Sequence, residues 1–286
     1  MSTGVIEAGV DTWRLLFKTT RAHGRDGFDL GTYKAHWMPG LSLLAVEGHP
    51  TPGALCPADG LEPAYHAVTR LLDREVGSYD FVGLSRLDAT ATHLFGRGQE
   101  GVAFLQGFAA LDWPRLKPEV IGKPPETVYL IAKNGRGKKL ARAYDSGLLR
   151  GTHERGTAIR LEDQGRFPSG ARPTLSIDPR ARFHRRFVPL WQSMKGVRVA
   201  SLPVLSERIR AQLRAGEITH AQAERMIGFL HLDTAGESYE RRTWYRRRRE
   251  LRERGLVVAD GFFEPVEVDV AAVLEAALDS PAWGLG

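Results

Sequence analysis

Ala158-Ile159-Arg160-Leu161-Glu162-Asp163-Gln164 sets Arg160, Glu162 and Gln164 at every second position, with Ile159 and Leu161 on the other parity. In a β-strand such alternating residues share one face. Two further stretches read the same way. Gly83-Leu84-Ser85-Arg86-Leu87-Asp88 puts Arg86 and Asp88 together, and Leu140-Ala141-Arg142-Ala143-Tyr144-Asp145 puts Arg142 and Tyr144 together. Laid in one sheet, the three strands present carboxylates, a phenol and several guanidiniums to a common surface.

Outward from these strands, residues 10–17 and 41–47 are rich in apolar and β-forming residues and are followed by stretches containing Gly or Pro. Helical spacing of Tyr65, Val68, Leu71 and Leu72, with Pro63 in a first turn, predicts a helix over 62–76. A second is predicted over 99–110 through Val102, Leu105 and Phe108, with Gly101 and Gly107 counting against it. The runs 127–132 and 139–144 flank Lys133-Asn134-Gly135-Arg136-Gly137-Lys138, whose Asn-Gly step predicts a hairpin. Lys133, Arg136 and Lys138 at its tip suit either a phosphate backbone or plain solvation. Residues 1–166 therefore read as an α+β domain with a mainly antiparallel sheet.

Five prolines interrupt residues 165–203, and 167–204 reads as a connecting region packed through Phe183, Phe187, Leu190 and Trp191. Residues 205–286 read as a winged helix-turn-helix domain. Its helices are expected over 205–214, 219–232 and 239–254, its hairpin around Asp260-Gly261, and a last short helix over 270–278.

The chain has 286 residues, 42% hydrophobic and 26% charged, with a formal net charge of +6. That balance fits a folded protein with an anionic partner. A single cysteine, Cys56, excludes an internal disulfide framework and a cysteine zinc finger. No apolar run approaches the roughly 18 residues of a membrane span, and residues 1–7 lack the blocks of a signal peptide. The expectation is a cytoplasmic protein with no membrane partner.

Positive charge gathers in residues 240–254, where arginines surround a predicted helix whose Trp244 and Leu251 form one inward stripe. Arg241, Arg242, Tyr245, Arg246, Arg248, Arg249 and Arg252, with Trp244 among them, suit contact with phosphates and base edges of DNA. An ordinary solvated face would mix Lys and Glu more evenly.

The strings Thr127-Val128-Tyr129-Leu130, Leu140-Ala141-Arg142-Ala143-Tyr144-Asp145, Ser85-Arg86-Leu87-Asp88 and Ile159-Arg160-Leu161-Glu162 resemble, in order and spacing, motifs of the rolling-circle replication initiators of plasmids and filamentous phages. Arg241-Arg242-Thr243-Trp244-Tyr245-Arg246 is similar to a helix near the C-terminus of the phage members. The resemblance implies an enzyme that binds an origin and nicks one strand, leaving a 5′-phosphotyrosyl link and a free 3′-OH primer. It makes Tyr144 the nucleophile and Asp88 and Glu162 ligands of Mg²⁺ or Mn²⁺, with Glu47 a further candidate ligand. Arg142 and Arg160 would neutralise phosphate and favour the phenolate. The implied partners are duplex origin DNA, single-stranded DNA and a host helicase, and a homodimer is compatible with them. Two departures stand out. Asp145-Ser146-Gly147 follows Tyr144, where the family often has a lysine, and the chain contains no His-x-His pair. The second favours the carboxylate-metal branch.

From the residues alone, Tyr144 also reads as a half-buried strand tyrosine, and Asp88 and Glu162 as partners of neighbouring arginines. The rival function is a non-enzymatic winged-helix DNA-binding regulator. The mutual placement of Asp88, Tyr144 and Glu162 separates the two.

Overall fold

The computed structural model describes residues 4–19, 28–29, 33–38, 42–48, 61–111, 113–134, 138–151, 153–167, 175, 177–234, 240–259, 261–262 and 264–284. Nine strands form one sheet: β1 (Gly4–Thr19), β2 (Phe28–Asp29), β3 (Tyr33–Met38), β4 (Leu43–Gly48), β5 (Tyr79–Leu94), β6 (Leu116–Ile121), β7 (Thr127–Ala132), β8 (Lys139–Asp145) and β9 (Ala158–Arg166). Their order is β2-β3-β4-β1-β5-β9-β8-β7-β6, and every adjacent pair is antiparallel. The protein is thus α+β with a large antiparallel sheet. The three strands that carry the charged alternation, β5, β9 and β8, are immediate neighbours at its centre.

One face of the sheet is apolar. Leu15, Phe17, Leu84, Ala89, Val128, Leu130, Ala141, Ala143, Ile159 and Leu161 line it, all buried. Helices α1 (Leu61–Glu75), α2 (Gly98–Ala110), α4 (Pro179–Met194) and α8 (Val270–Leu278) join the same core, while the short α3 (Ser146–Arg150) leads out of β8. The charged side chains are left to the other face, as alternation requires when one side of an antiparallel sheet is covered.

The glycines that weigh against α2 have a packing cause. A Cβ at Gly101 would collide with the Gly156 carbonyl, and one at Gly107 with the Val199 side chain. Close approach on both sides of the helix outweighs the roughly 1 kcal/mol that each glycine costs a helix.

The stretch expected only to connect holds a sixteen-residue helix, α4, capped by Asp178, whose side chain accepts from the Ala181 N–H. Phe183, Phe187 and Leu190 enter the sheet's core from it. Beyond lie β10 (Arg198–Ala200), α5 (Leu202–Arg214), α6 (His220–Thr234), α7 (Arg241–Glu253), β11 (Leu256–Val258) and β12 (Glu267–Asp269). Leu205, Ile209, Met226, Phe229, Leu230, Leu251 and Leu256 close a second core among these helices.

The hairpin expected around Asp260-Gly261 is not formed by β11 and β12. They flank β10, β11 parallel to it and β12 antiparallel. Phe262 lies in the connection and Phe263 outside the described residues, and β12 begins only after Pro265, which has no N–H to give a ladder. The last helix does not stay with the second core either. α8 packs on α4, and Trp283, in the turn after it, lies 5.0 Å from the Phe183 ring. Six of its nine residues are buried, so it must be covered on more than one side.

Candidate active site

The register of the central strands builds the polar face. Across β5 and β9, Asp88 stands opposite Gln164, Thr90 opposite Glu162 and Thr92 opposite Arg160. Across β8 and β9, Arg142 faces Glu162 and Tyr144 faces Arg160. Asp88, Glu162, Arg142, Arg160 and Tyr144 therefore occupy one patch on three adjacent strands.

This face is polar but not wet. Asp88, Glu162 and Arg160 are each 0% exposed and Tyr144 is 5% exposed. Arg86 donates to Asp88 Oδ2 through both Nε and Nη2. Arg142 Nη2 donates to Glu162 Oε2 at 2.6 Å, and Gln164 donates to Oε1 at 3.0 Å. Each carboxylate thus has its own arginine, as buried charges require. One oxygen does not: Asp88 Oδ1 is buried without a partner.

Burial, and then the charge of Glu162, push the Asp88 carboxyl up to about 7, with Arg86 and Arg142 pulling against them. Glu162 is pushed up too, by burial first, while Arg142 opposes. The Tyr144 phenol also moves upward, through burial and then the charges of Glu162 and Asp11, which outweigh Arg160 and Arg142. The two arginines do favour the phenolate, as expected, but they do not set the net direction. Their attraction is real, but burial and two carboxylates exceed it. Arg142 lies over the Tyr144 ring at 4.4 Å.

Arg160 is largely spent within the fold. Its Nη1 meets Asp11 Oδ1 at 2.6 Å, its Nη2 meets Glu7, and its Nε donates to Thr92 Oγ1 at 3.0 Å. Glu47 is tied to Arg14 and lies 3.6 Å from Arg86 Nη1, so Arg86 bridges it to Asp88. Sequence reasoning missed Glu7, Asp11 and Arg14. An acid inside an apolar strand was the available signal. A register shift between Val10 and Thr12 brings Asp11 and Arg14, of opposite parity, to the same face, so alternation alone misplaces one of them.

For a divalent ion, the described residues contain no grouping of three His, Cys, Asp or Glu side chains. An ion here would rest on Asp88 and Glu162, with Glu47 outside that set and water or phosphate oxygens completing it. The orphaned Asp88 Oδ1 and the mutual repulsion of two buried carboxylates fit that use. Mg²⁺ characteristically takes one or two carboxylates plus substrate phosphates.

The basic helix sits elsewhere. Arg252 of α7 reaches the carbonyl of Ala110 at the end of α2, on the covered side of the sheet. Trp244 Nε1 donates to Asp233 at 2.6 Å, and Arg248 pairs with Asp233 while lying over the Trp244 ring. Arg247 and Arg249 pair with Glu250 and Glu253. Arg242, Tyr245, Arg246 and Arg249 form the exposed side, and the Arg241 side chain is outside the described residues. At the β7–β8 turn Lys133 and Lys138 are exposed, and Arg136 also lies outside the described residues. Asp88, Glu162, Arg142, Arg160 and Tyr144 are brought together; among the described residues, the candidates on α7 and on the turn do not join them.

No protein-family model, curated protein or solved structure matches the chain.

Proposed function

We propose that the protein nicks one strand of DNA through Tyr144 and thereby initiates rolling-circle replication. The observation that carries this reading is the juxtaposition, on β5, β9 and β8, of Asp88 with its unpartnered buried oxygen, Glu162 and Tyr144. An ion bound by the two carboxylates would polarise the scissile phosphate and stabilise charge on the departing 3′ oxygen.

The protein's own groups have the remaining tasks. The Tyr144 oxygen bonds to phosphorus as the bond from phosphorus to the 3′ oxygen breaks, giving a 5′-phosphotyrosyl ester and a free 3′-OH. Arg142, stacked on the ring, fixes its direction. With Glu162 given to the ion, Asp11, whose charge also bears on the phenol, is the carboxylate left to take its proton. Duplex origin DNA is held at the exposed side of α7, on the other side of the sheet, so binding and cutting are separable.

A specific observation favours a second reading, the non-enzymatic DNA-binding regulator. Both carboxylates already carry arginines, and the phenol is raised, the state of a structural ion-pair network. Incubation with a randomised single-stranded oligonucleotide library and Mn²⁺ decides between them. Nicking yields cut strands that disappear with EDTA. Intact strands together with duplex binding through α7 support the regulator, and cutting that survives EDTA removes the ion from the reading.

A further inference from the structure

Glu162 faces the nicking patch, but its neighbour Asp163 faces the helices and builds a different site. Asp163 is 1% exposed. Its Oδ2 accepts from Arg182 Nε and Nη2 at 3.1 and 2.9 Å, and its Oδ1 accepts from Arg186 Nε at 2.9 Å. Arg185 stands one helical turn from Arg182, and the three arginines with Asp163 line a cleft of about 210 Å³.

One carboxylate against three guanidiniums leaves two positive charges uncompensated among the lining residues. Asp163 engages only one nitrogen of Arg186, and Arg185 is exposed with no carboxylate partner among the described residues. Arg182 is also fixed from behind. Its guanidinium lies 4.7 Å from the Phe167 ring centre and occupies the space a side chain at Gly165 would need. An ion pair that merely anchored α4 to β9 would need one arginine. Here a buried acid holds two forks in place at the mouth of a cleft beside a third, an arrangement suited to the tetrahedral oxygens of a phosphate.

We propose that the Arg182–Arg185–Arg186 cleft binds a phosphate group. The site lies across the sheet from Tyr144 and does not depend on the nicking reading. Two sources share this chemistry: the backbone of a nucleic-acid strand and a free phosphate.

Arg185→Ala is the informative variant, because its side chain is exposed, has no carboxylate partner among the described residues, and its loss leaves Asp163 satisfied. Thermal unfolding is followed in inorganic phosphate and in sodium chloride at equal ionic strength. In parallel, affinity for a labelled single-stranded oligonucleotide is measured across a salt series. If the backbone is the ligand, Arg185→Ala weakens oligonucleotide binding about tenfold and lowers the salt slope by about one, while Arg185→Lys recovers part of the loss. Tyr144→Phe leaves both values unchanged, which keeps this test apart from that of nicking. If a free phosphate is the ligand, phosphate raises the melting temperature beyond chloride, Arg185→Ala removes the increment, and oligonucleotide affinity does not move. No phosphate-specific increment in the wild type, with unchanged oligonucleotide affinity in Arg185→Ala, overturns the proposal.

Discussion

The polar face of the sheet and helix α7 are built from the same groups, arginines set against carboxylates, yet they are opposite in kind. On the sheet, Glu162 and Arg160 are wholly buried and each is held by a partner. On α7, the Arg249 and Glu253 side chains of one ion pair are 77% and 62% exposed. Breaking a buried pair by removing one partner costs about 3–5 kcal/mol, whereas an exposed pair contributes about 0.2–1 kcal/mol. An exposed arginine such as Arg249 can therefore leave its partner for another anion at little cost. Those on the sheet are committed, and the proposed chemistry would fall to groups outside the ion pairs: Asp88 Oδ1, which has no partner, and the Tyr144 hydroxyl.

The largest expected effect is on the sheet. Arg160→Met removes the cation that Glu7 and Asp11 share and should lower stability to urea by about 3–5 kcal/mol. A loss under about 1 kcal/mol would erase the contrast with α7.

Next comes a buried histidine on the same strand as Asp88. Burial lowers the His93 imidazole from 6.5 to about 4, and its Nδ1 has no partner. Below pH 6.5 the unfolded chain takes a proton that the fold resists, so stability present above that pH is lost as pH falls through 4. The loss is on the order of 3 kcal/mol. Asp88, raised to about 7, acts in the opposite sense: its contribution is present below 3.8 and lost as pH rises through 7. The quantity to measure is accordingly the difference between wild type and His93→Phe, whose ring keeps the contact with Phe95. That difference should grow, in favour of the variant, from pH 7 to pH 4; a flat difference would show that His93 protonates freely in the fold.

On α7 the expected effects are on binding rather than on folding. Arg242→Ala with Arg246→Ala should change stability by less than about 0.5 kcal/mol. The same double variant should reduce the salt slope of duplex binding by about two, one for each lost phosphate contact. An unchanged slope would move the duplex site away from this helix. Smallest of all, Arg249→Ala should cost about 0.3–0.5 kcal/mol in chemical denaturation, the usual value of an i,i+4 pair.

Much of this contrast was legible in the sequence. Alternation identified the strands around Asp88, Tyr144 and Glu162, and an Asn-Gly step joined β7 to β8, because period-two patterning follows directly from covering one face of a sheet. Helices α1, α2, α5, α6, α7 and α8 were legible within a few residues of their ends. What escaped is what local pattern does not encode. A bulge beside Asp11 breaks parity, so the partners of Arg160 could not be deduced by counting. β6 carries Pro118 and exposed Val120 and Ile121, the signature of an edge strand rather than of a core one. α4 lies in a proline-rich stretch, but Pro179 occupies its first turn, where a missing N–H costs nothing, so only Pro189 is internal. Alternation also predicts a shared face without predicting its depth. Nothing local indicated that Asp88 and Glu162 would be buried enough to shift their own protonation.

The central claim is that Tyr144 is the nucleophile, and covalent capture tests it most directly. Wild-type protein and Tyr144→Phe are incubated with the single-stranded library and Mn²⁺, denatured and digested, and nucleotide-bearing peptides are identified by mass spectrometry. Loss of one oxygen from a ring that stays packed under Arg142 should leave folding and duplex affinity unchanged. The account predicts a phosphotyrosyl adduct on the peptide containing Tyr144 in the wild type and none in Tyr144→Phe. An adduct on Tyr129 or Tyr33, or undiminished adduct in Tyr144→Phe, would contradict it.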